Sequence, residues 1–145
     1  MRRLLRRAVM LAVVAAQVVM VVRAYGADHA VFGFQMFPES STWQADIYRI
    51  TADGEAIDVR RPWPGGYRWG DLVPDRGLGN PFVVHHADTG LRSTLAFLEE
   101  ALAWVGGHTP LDTETRYLEA RVTYWDNGRG PNTTVLRGPP RALPP

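Results

Sequence analysis

The chain of 145 residues is long enough for one compact domain and an additional segment, but not for two full domains. Its 46% of hydrophobic and 21% of charged residues are ordinary for a globular protein, which argues against disorder throughout. The absence of cysteine and lysine excludes disulfides, thiolate sites, Schiff bases and a P-loop. Five of the sixteen arginines precede Asp28, so the rest of the chain is net acidic and poorly suited to binding nucleic acid.

Residues 1–27 combine a basic leader with an apolar run. The leader, residues 1–7, contains four arginines, and residues 8–22 are uncharged and apolar except for Gln17. We expect a transmembrane anchor over residues 8–27, since roughly twenty residues cross the hydrocarbon of a bilayer. The positions of the arginines predict a single-pass protein of the cytoplasmic membrane, with its N-terminus inside and its domain outside. A cleaved signal peptide and an ordinary buried helix are the alternatives.

The next segments predict a β-hairpin and a long loop. Val31 to Phe37 is aromatic and either lies at the membrane surface or enters the fold as a first strand. Trp43 to Thr51 is rich in β-forming residues, and an Asp-Gly turn leads into a return strand over residues 56–60. Residues 61–81 are rich in glycine, proline and tryptophan, and predict a loop with one short helical turn near residues 71–73. Loops of this length are often functional or pack as an irregular lid.

The second half of the chain predicts a helix and another hairpin. Leucine recurs at helical spacing from Leu91 to Leu102, Asp88 offers an N-cap, and a Gly-Gly pair at 106–107 ends the helix. Residues 114–125 alternate as a strand, and a turn over residues 126–132 that contains Asn-Gly leads into a partner strand over 133–137.

The predicted fold class is α+β. An N-terminal transmembrane helix precedes a small two-layer domain, in which one helix packs on an antiparallel sheet made of two hairpins. The expected parts are residues 1–27 for the basic segment and anchor, 28–137 for an extracytoplasmic domain, and 138–145 for a proline-rich, extended tail. Six side chains are expected to form the core between the helix and the sheet: Leu95, Leu98, Leu102, Leu118, Val122 and Tyr124.

The segment after the apolar run carries a family resemblance. Phe32, Gly33, Phe34, Gln35 and Met36 follow one another in an order that resembles the segment just after the membrane helices of HTTM-type proteins, the vitamin K-dependent γ-carboxylase-like family. The layout of the chain also resembles small actinobacterial membrane proteins. The family's multi-helix membrane core and its lysine chemistry have no counterpart in this sequence. The resemblance therefore implies a piece without carboxylase activity that works beside a multi-pass membrane partner.

Aromatic residues supply the candidate binding surface. Its members lie just after the apolar run and in the long loop: Phe32, Phe34, Met36, Phe37, Trp63, Tyr67, Arg68 and Trp69. In the loop, the aromatic residues alternate with arginines at positions 60, 61 and 68, a mixture that suits stacking on carbohydrate, lipid headgroups or a protein interface. The alternative is that the loop only covers the sheet.

Candidate chemistry is sparse. His85, His86 and Asp88 are residue types that ligate metals, but adjacent residues of an extended segment point to opposite sides, and Asp88 is already expected to cap a helix. Three acids near the second hairpin could join Asp126 close to one sheet edge: Asp112, Glu114 and Glu119. A glycosidase would need two of them at a set separation across a cleft. No catalytic residue, metal site or cofactor is predicted from these patterns.

Three functions fit the sequence. The first is a non-enzymatic accessory or assembly protein that docks on a multi-pass envelope membrane protein. The second is an envelope module that binds glycan or lipid. The third is a small enzyme that uses His85, His86 and Asp88. An open aromatic groove would favour a ligand, a flat apolar patch would favour a protein, and a pocket that joins both histidines to a third polar group would favour an enzyme.

Overall fold

The computed structural model describes residues 2–26, 40–75 and 77–141, and the chain divides into two units at residue 38. In the first unit, residues 2–26 form helix α1 (Arg2–Gly26). Among the described residues, no helix is both long and apolar enough to cross a membrane. The predicted transmembrane helix is therefore wrong, and so is the predicted location as a single-pass protein of the cytoplasmic membrane. The uncharged, apolar run within α1 has fifteen residues between arginines, whereas a bilayer crossing takes roughly twenty.

The second unit is built on an antiparallel sheet, which has five strands in the described part of the chain. Strand β1 (Thr42–Thr51) is central and pairs with β2 (Ala56–Asp58) and β3 (His85–His86) along one side. On its other side it pairs with β4 (Thr115–Asp126), and β5 (Arg129–Arg137) follows as the edge strand. The pairing of β3 with β1 brings the two histidines into the sheet.

Both predicted hairpins are present, but the second turn is shorter than expected. Asn127 and Gly128 have positive φ angles of 49° and 77°, the combination that a two-residue type I′ turn requires and that suits the twist of the flanking strands. The turn predicted over residues 126–132 therefore takes up only this dipeptide, and β5 already begins at Arg129.

The long loop contains a 3-10 turn at Pro64–Gly66 and a short helix, α2 (Trp69–Leu72). Helix α3 (Leu91–Gly107) follows β3. Its N-cap position is Gly90, which has a φ of 86° and no side chain with which to cap the helix. The N-cap predicted from Asp88 is therefore wrong. The backbone N–H of Thr94 donates to the carbonyl oxygen of Gly90 at 3.0 Å and closes the first turn, and the Thr94 hydroxyl donates to the same oxygen at 3.0 Å.

The core lies between α3 and one face of the sheet. Alternation along β1 turns Trp43, Ala45 and Ile47 toward this face, and the antiparallel register places Tyr124, Val122 and Ala120 beside them. Of the six expected core residues, Leu98, Leu102, Leu118 and Val122 are buried, whereas Leu95 and Tyr124 are half-buried and pack against them.

We expect Leu98→Ala to destabilise the protein by about 2–5 kcal/mol, because it removes a side chain that is 0% exposed and leaves a cavity in the core. Urea denaturation of the full chain measures the change in the free energy of unfolding. Leu111→Ala is the matched control, since Leu111 is 66% exposed and its truncation is expected to change stability by about 0.5 kcal/mol or less. Equal stability of the two variants would show that α3 buries a different face.

Candidate functional site

A cleft of about 620 Å³ opens beside the long loop. Seven of its lining side chains are arginine or aromatic, and we call it the arginine–aromatic cleft: Arg60, Arg61, Trp63, Tyr67, Arg68, Trp69 and Phe82. The four loop residues named from the sequence as a candidate binding surface thus come together in one concave site. Its volume falls within the range of small-molecule sites, roughly 300–1,000 Å³.

Two buried tryptophans form fixed walls of the cleft. Trp63 is 5% exposed, and its indole N–H donates to the carboxylate of Asp112. Trp69 is 3% exposed, and its indole N–H donates to the carbonyl oxygen of Leu78 at 2.7 Å. Both indoles are therefore held in place by the protein interior, and neither N–H is available to a ligand.

The backbone of Gly65 packs closely against the ring of Tyr67 and helps to position it. Gly65 has a φ of 83°, and a Cβ atom at this position would meet the Tyr67 ring at 2.6 Å and Leu111 Cβ at 2.8 Å. Glycine therefore fits here for both conformational and steric reasons. The Tyr67 hydroxyl accepts a hydrogen bond from the backbone N–H of Leu111 at 3.3 Å, and its own O–H hydrogen is not used in this bond.

The arginines of the cleft differ in their partners. Arg60 donates from Nε and Nη2 to the carboxylate of Asp58, and its guanidinium lies 4.7 Å from the ring centre of Phe82. The hydrogen bond from Arg60 holds the pKa of Asp58 below its usual value. Arg61 and Arg68 are exposed, and among the described residues neither has a carboxylate within ion-pair distance. Arg60 thus has a structural partner, whereas Arg61 and Arg68 can serve a ligand.

A buried ion pair supports the cleft from within. Arg49 is 2% exposed, and its guanidinium lies 4.0 Å from the Asp112 carboxylate and 5.3 Å from the ring centre of Trp63. Arg141, near the C-terminal end of the described chain, approaches the same carboxylate at 3.7 Å. We call Arg49, Trp63, Asp112 and Arg141 the Asp112 cluster. It joins β1, the long loop and the segment after β5.

The Asp112 carboxylate is stabilised in its charged form. Burial alone raises the pKa of Asp112, but hydrogen bonds from Thr115 and Trp63 outweigh burial, and the pKa lies below its usual value. The backbone N–H groups of Glu114 and Thr115 also donate to Asp112 Oδ1, each at 3.1 Å. Asp112 is therefore an anion within the folded protein at neutral pH.

We expect Asp112→Asn to destabilise the protein by about 3–5 kcal/mol at pH 7, because it removes the buried counter-charge of Arg49 and leaves only the exposed carboxylate of Glu114, also at 4.0 Å, among the described residues. Since the pKa of Asp112 is lowered on folding, its contribution is present above the ordinary aspartate pKa of about 3.9 and is lost as the pH falls through the folded value. The stability difference between wild type and variant should therefore shrink below about pH 5.

Urea denaturation between pH 7 and pH 2 measures this difference. Asp53→Asn, at the exposed turn of the first hairpin, is the matched control and should leave both the stability and its pH dependence unchanged. A difference between wild type and Asp112→Asn that stays constant over the whole pH range would contradict the assignment.

A second cleft, of about 520 Å³, brings together the histidines named from the sequence. Asp75, His85, His86 and Asp88 all line it. His85 Nε2 donates to the carbonyl oxygen of Asn80 at 2.7 Å, since a carbonyl can only accept, and this bond fixes the tautomer of the neutral ring. No group of three histidine, aspartate or glutamate side chains in the described chain is arranged to hold a metal ion.

The four acids near the second hairpin do not come together in one group. Asp112 and Glu114 precede β4, whereas Asp126 ends it, and a strand of 12 residues spans roughly 36 Å. Glu119 pairs with Arg121 and Arg137. Four further candidates, Phe32, Phe34, Met36 and Phe37, lie outside the described residues.

The sequence-based prediction gives no role to Phe82 or Arg49, and it names Asp112 only among the acids near the second hairpin. Phe82 carries no local signal, since it is one apolar residue after a loop. Arg49 and Asp112 carry a weak one: alternation along β1 directs Arg49 toward the core, and a buried arginine demands a buried acid. The sequence does not identify which of its fifteen acids supplies that charge.

Comparisons with protein families, with curated proteins and with solved structures give no match to this chain. The functional proposal therefore depends on the geometry and chemistry of the clefts.

Proposed function

We propose that this protein is a non-enzymatic binding module that holds a small ligand with a flat, apolar body in the arginine–aromatic cleft. The observation that carries the proposal is the concave shape of the cleft, about 620 Å³ lined by four aromatic side chains. Ligand sites of this kind are mostly apolar, largely preformed and fitted with a few polar groups that orient the ligand.

The shape of the site separates this function from its alternatives. Docking of an accessory protein on a large partner would be supported by a flat apolar patch, whereas this loop forms a groove with charged side chains in its lining. The enzyme alternative has support from the cleft that joins His85 and His86 to two aspartates. Within the described residues, however, that cleft lacks a third metal-ligating group in suitable geometry.

The indole N–H signals of the tryptophans provide a direct test. We expect 1-naphthyl phosphate, titrated into the ¹⁵N-labelled full chain, to shift the signals of Trp63 and Trp69, which line the cleft. The signals of Trp104 and Trp125, which do not line it, should remain in place. If no naphthyl compound shifts Trp63 or Trp69 at millimolar concentration, the proposed function is wrong.

Truncation of Tyr67 tests the location of the site. Tyr67→Ala removes a half-buried ring from the cleft, and we expect it to weaken binding of 1-naphthyl phosphate about tenfold, equivalent to about 1.4 kcal/mol. Trp104→Ala, which removes an exposed aromatic elsewhere, is the control and should bind like wild type. Trp69 is unsuitable for this purpose because it belongs to the core.

A further inference from the structure

The side-chain hydrogen-bonding groups left free in the arginine–aromatic cleft are donors. Both indole N–H groups are used by protein acceptors, and Arg60 is used by Asp58. The groups that remain are the guanidinium groups of Arg61 and Arg68 and the hydroxyl hydrogen of Tyr67. A ligand must therefore supply acceptors.

The charge of the residues that line the cleft also favours an anionic ligand. No aspartate, glutamate or histidine is among the described residues that line it. Arg60 is paired with both Asp58 and Asp46, and Arg61 is near enough to Asp58 to act on it through its charge, but no described carboxylate lies within ion-pair distance of Arg61 or Arg68. A ligand with two negative charges would balance both arginines without leaving either ion uncompensated.

Resting on the proposed binding function, we propose that the ligand is a low-molecular-weight phosphomonoester whose phosphate is attached to a flat, ring-bearing body. Arg61 and Arg68 bind the phosphate, and the Tyr67 hydroxyl supplies a further donor. A phosphomonoester carries close to two negative charges at neutral pH and has three terminal oxygens, which match two guanidinium groups and one hydroxyl. The ring occupies the aromatic part of the cleft. Aryl phosphates and nucleoside monophosphates share this chemistry.

A series of probes separates the charge from the ring. We expect 1-naphthyl phosphate to bind the full chain at least about tenfold more tightly than 1-naphthyl sulfate, a monoanion, or 1-naphthol, which is neutral. Inorganic phosphate should bind more weakly than 1-naphthyl phosphate, because it lacks the ring. Adenosine 5′-monophosphate is the last probe. If it binds more tightly than 1-naphthyl phosphate, the ligand class is a nucleoside monophosphate; if it binds more weakly, the ligand class is a simple aryl phosphate.

The pH dependence reports the second charge. The phosphate of the ester loses its second proton near pH 6, so the affinity for 1-naphthyl phosphate should rise between pH 5 and pH 7.5. The affinity for 1-naphthyl sulfate should stay constant over the same range, since its charge does not change. An equal response of the two ligands would overturn the assignment of a dianion.

Variants of the two arginines identify the groups that hold the phosphate. Arg61→Gln and Arg68→Gln should each weaken binding of 1-naphthyl phosphate about tenfold and leave binding of 1-naphthol unchanged. Tyr67→Phe removes only the hydroxyl and should weaken binding of 1-naphthyl phosphate by a smaller factor. Arg129→Gln, at the exposed start of β5, is the matched control and should bind both compounds like wild type.

The outcomes distinguish this inference from the proposed function. If 1-naphthol or 1-naphthyl sulfate binds in the cleft as tightly as 1-naphthyl phosphate, the phosphomonoester is wrong and the binding function stands. The same holds if neither Arg61→Gln nor Arg68→Gln weakens binding of the ester. If inorganic phosphate binds as tightly as the ester, or if no naphthyl compound binds, both proposals fail.

Discussion

The buried ion pair between Arg49 and Asp112 is the contact on which the long loop depends. A buried charged guanidinium is costly without a counter-charge; Arg49 is 2% exposed, and both the buried carboxylate of Asp112 and the exposed carboxylate of Glu114 lie 4.0 Å from it. The Asp112 carboxylate also accepts the indole N–H of Trp63 and is approached by Arg141 at 3.7 Å. One anion thus fixes β1, the loop and the chain after β5 at a common point, which positions a loop that has little regular structure of its own.

This interior bonding determines what the cleft can recognise. Trp63 and Trp69 line the cleft but are almost completely buried, and they direct their N–H groups to Asp112 and to the carbonyl oxygen of Leu78. The selection of a ligand by hydrogen bonds therefore falls to the exposed arginines, Arg61 and Arg68, whose side chains have no carboxylate partner in the described chain. The buried cluster determines the shape of the site, and the two exposed cations determine its charge preference.

The local parts of this fold could be predicted from the sequence, whereas the contacts that complete it could not. The alternation of β4, the Asn127-Gly128 turn and the leucine spacing of α3 each act over a few residues, so pattern alone locates them. The transmembrane prediction is wrong because the apolar run, residues 8–22, has only fifteen residues and reaches spanning length only if the segment after Arg23 is included. The pairing of Arg49 with Asp112 joins distant segments through burial, and no local period encodes it.

The segment from Leu78 to Asn80 is held by one residue from each cleft, Trp69 and His85. Trp69 bonds to the carbonyl oxygen of Leu78 from one side, and His85 bonds to the carbonyl oxygen of Asn80 from the other. Between these residues, Gly79 packs so closely that a Cβ atom would overlap the carbonyl oxygen of Val73. Because these hydrogen bonds hold Trp69 and His85 in place before a ligand binds, their ordering adds little to the entropic cost of binding. Affinity in the arginine–aromatic cleft then depends mainly on ordering the exposed side chains of Arg61 and Arg68, which are also the groups that select the ligand's charge.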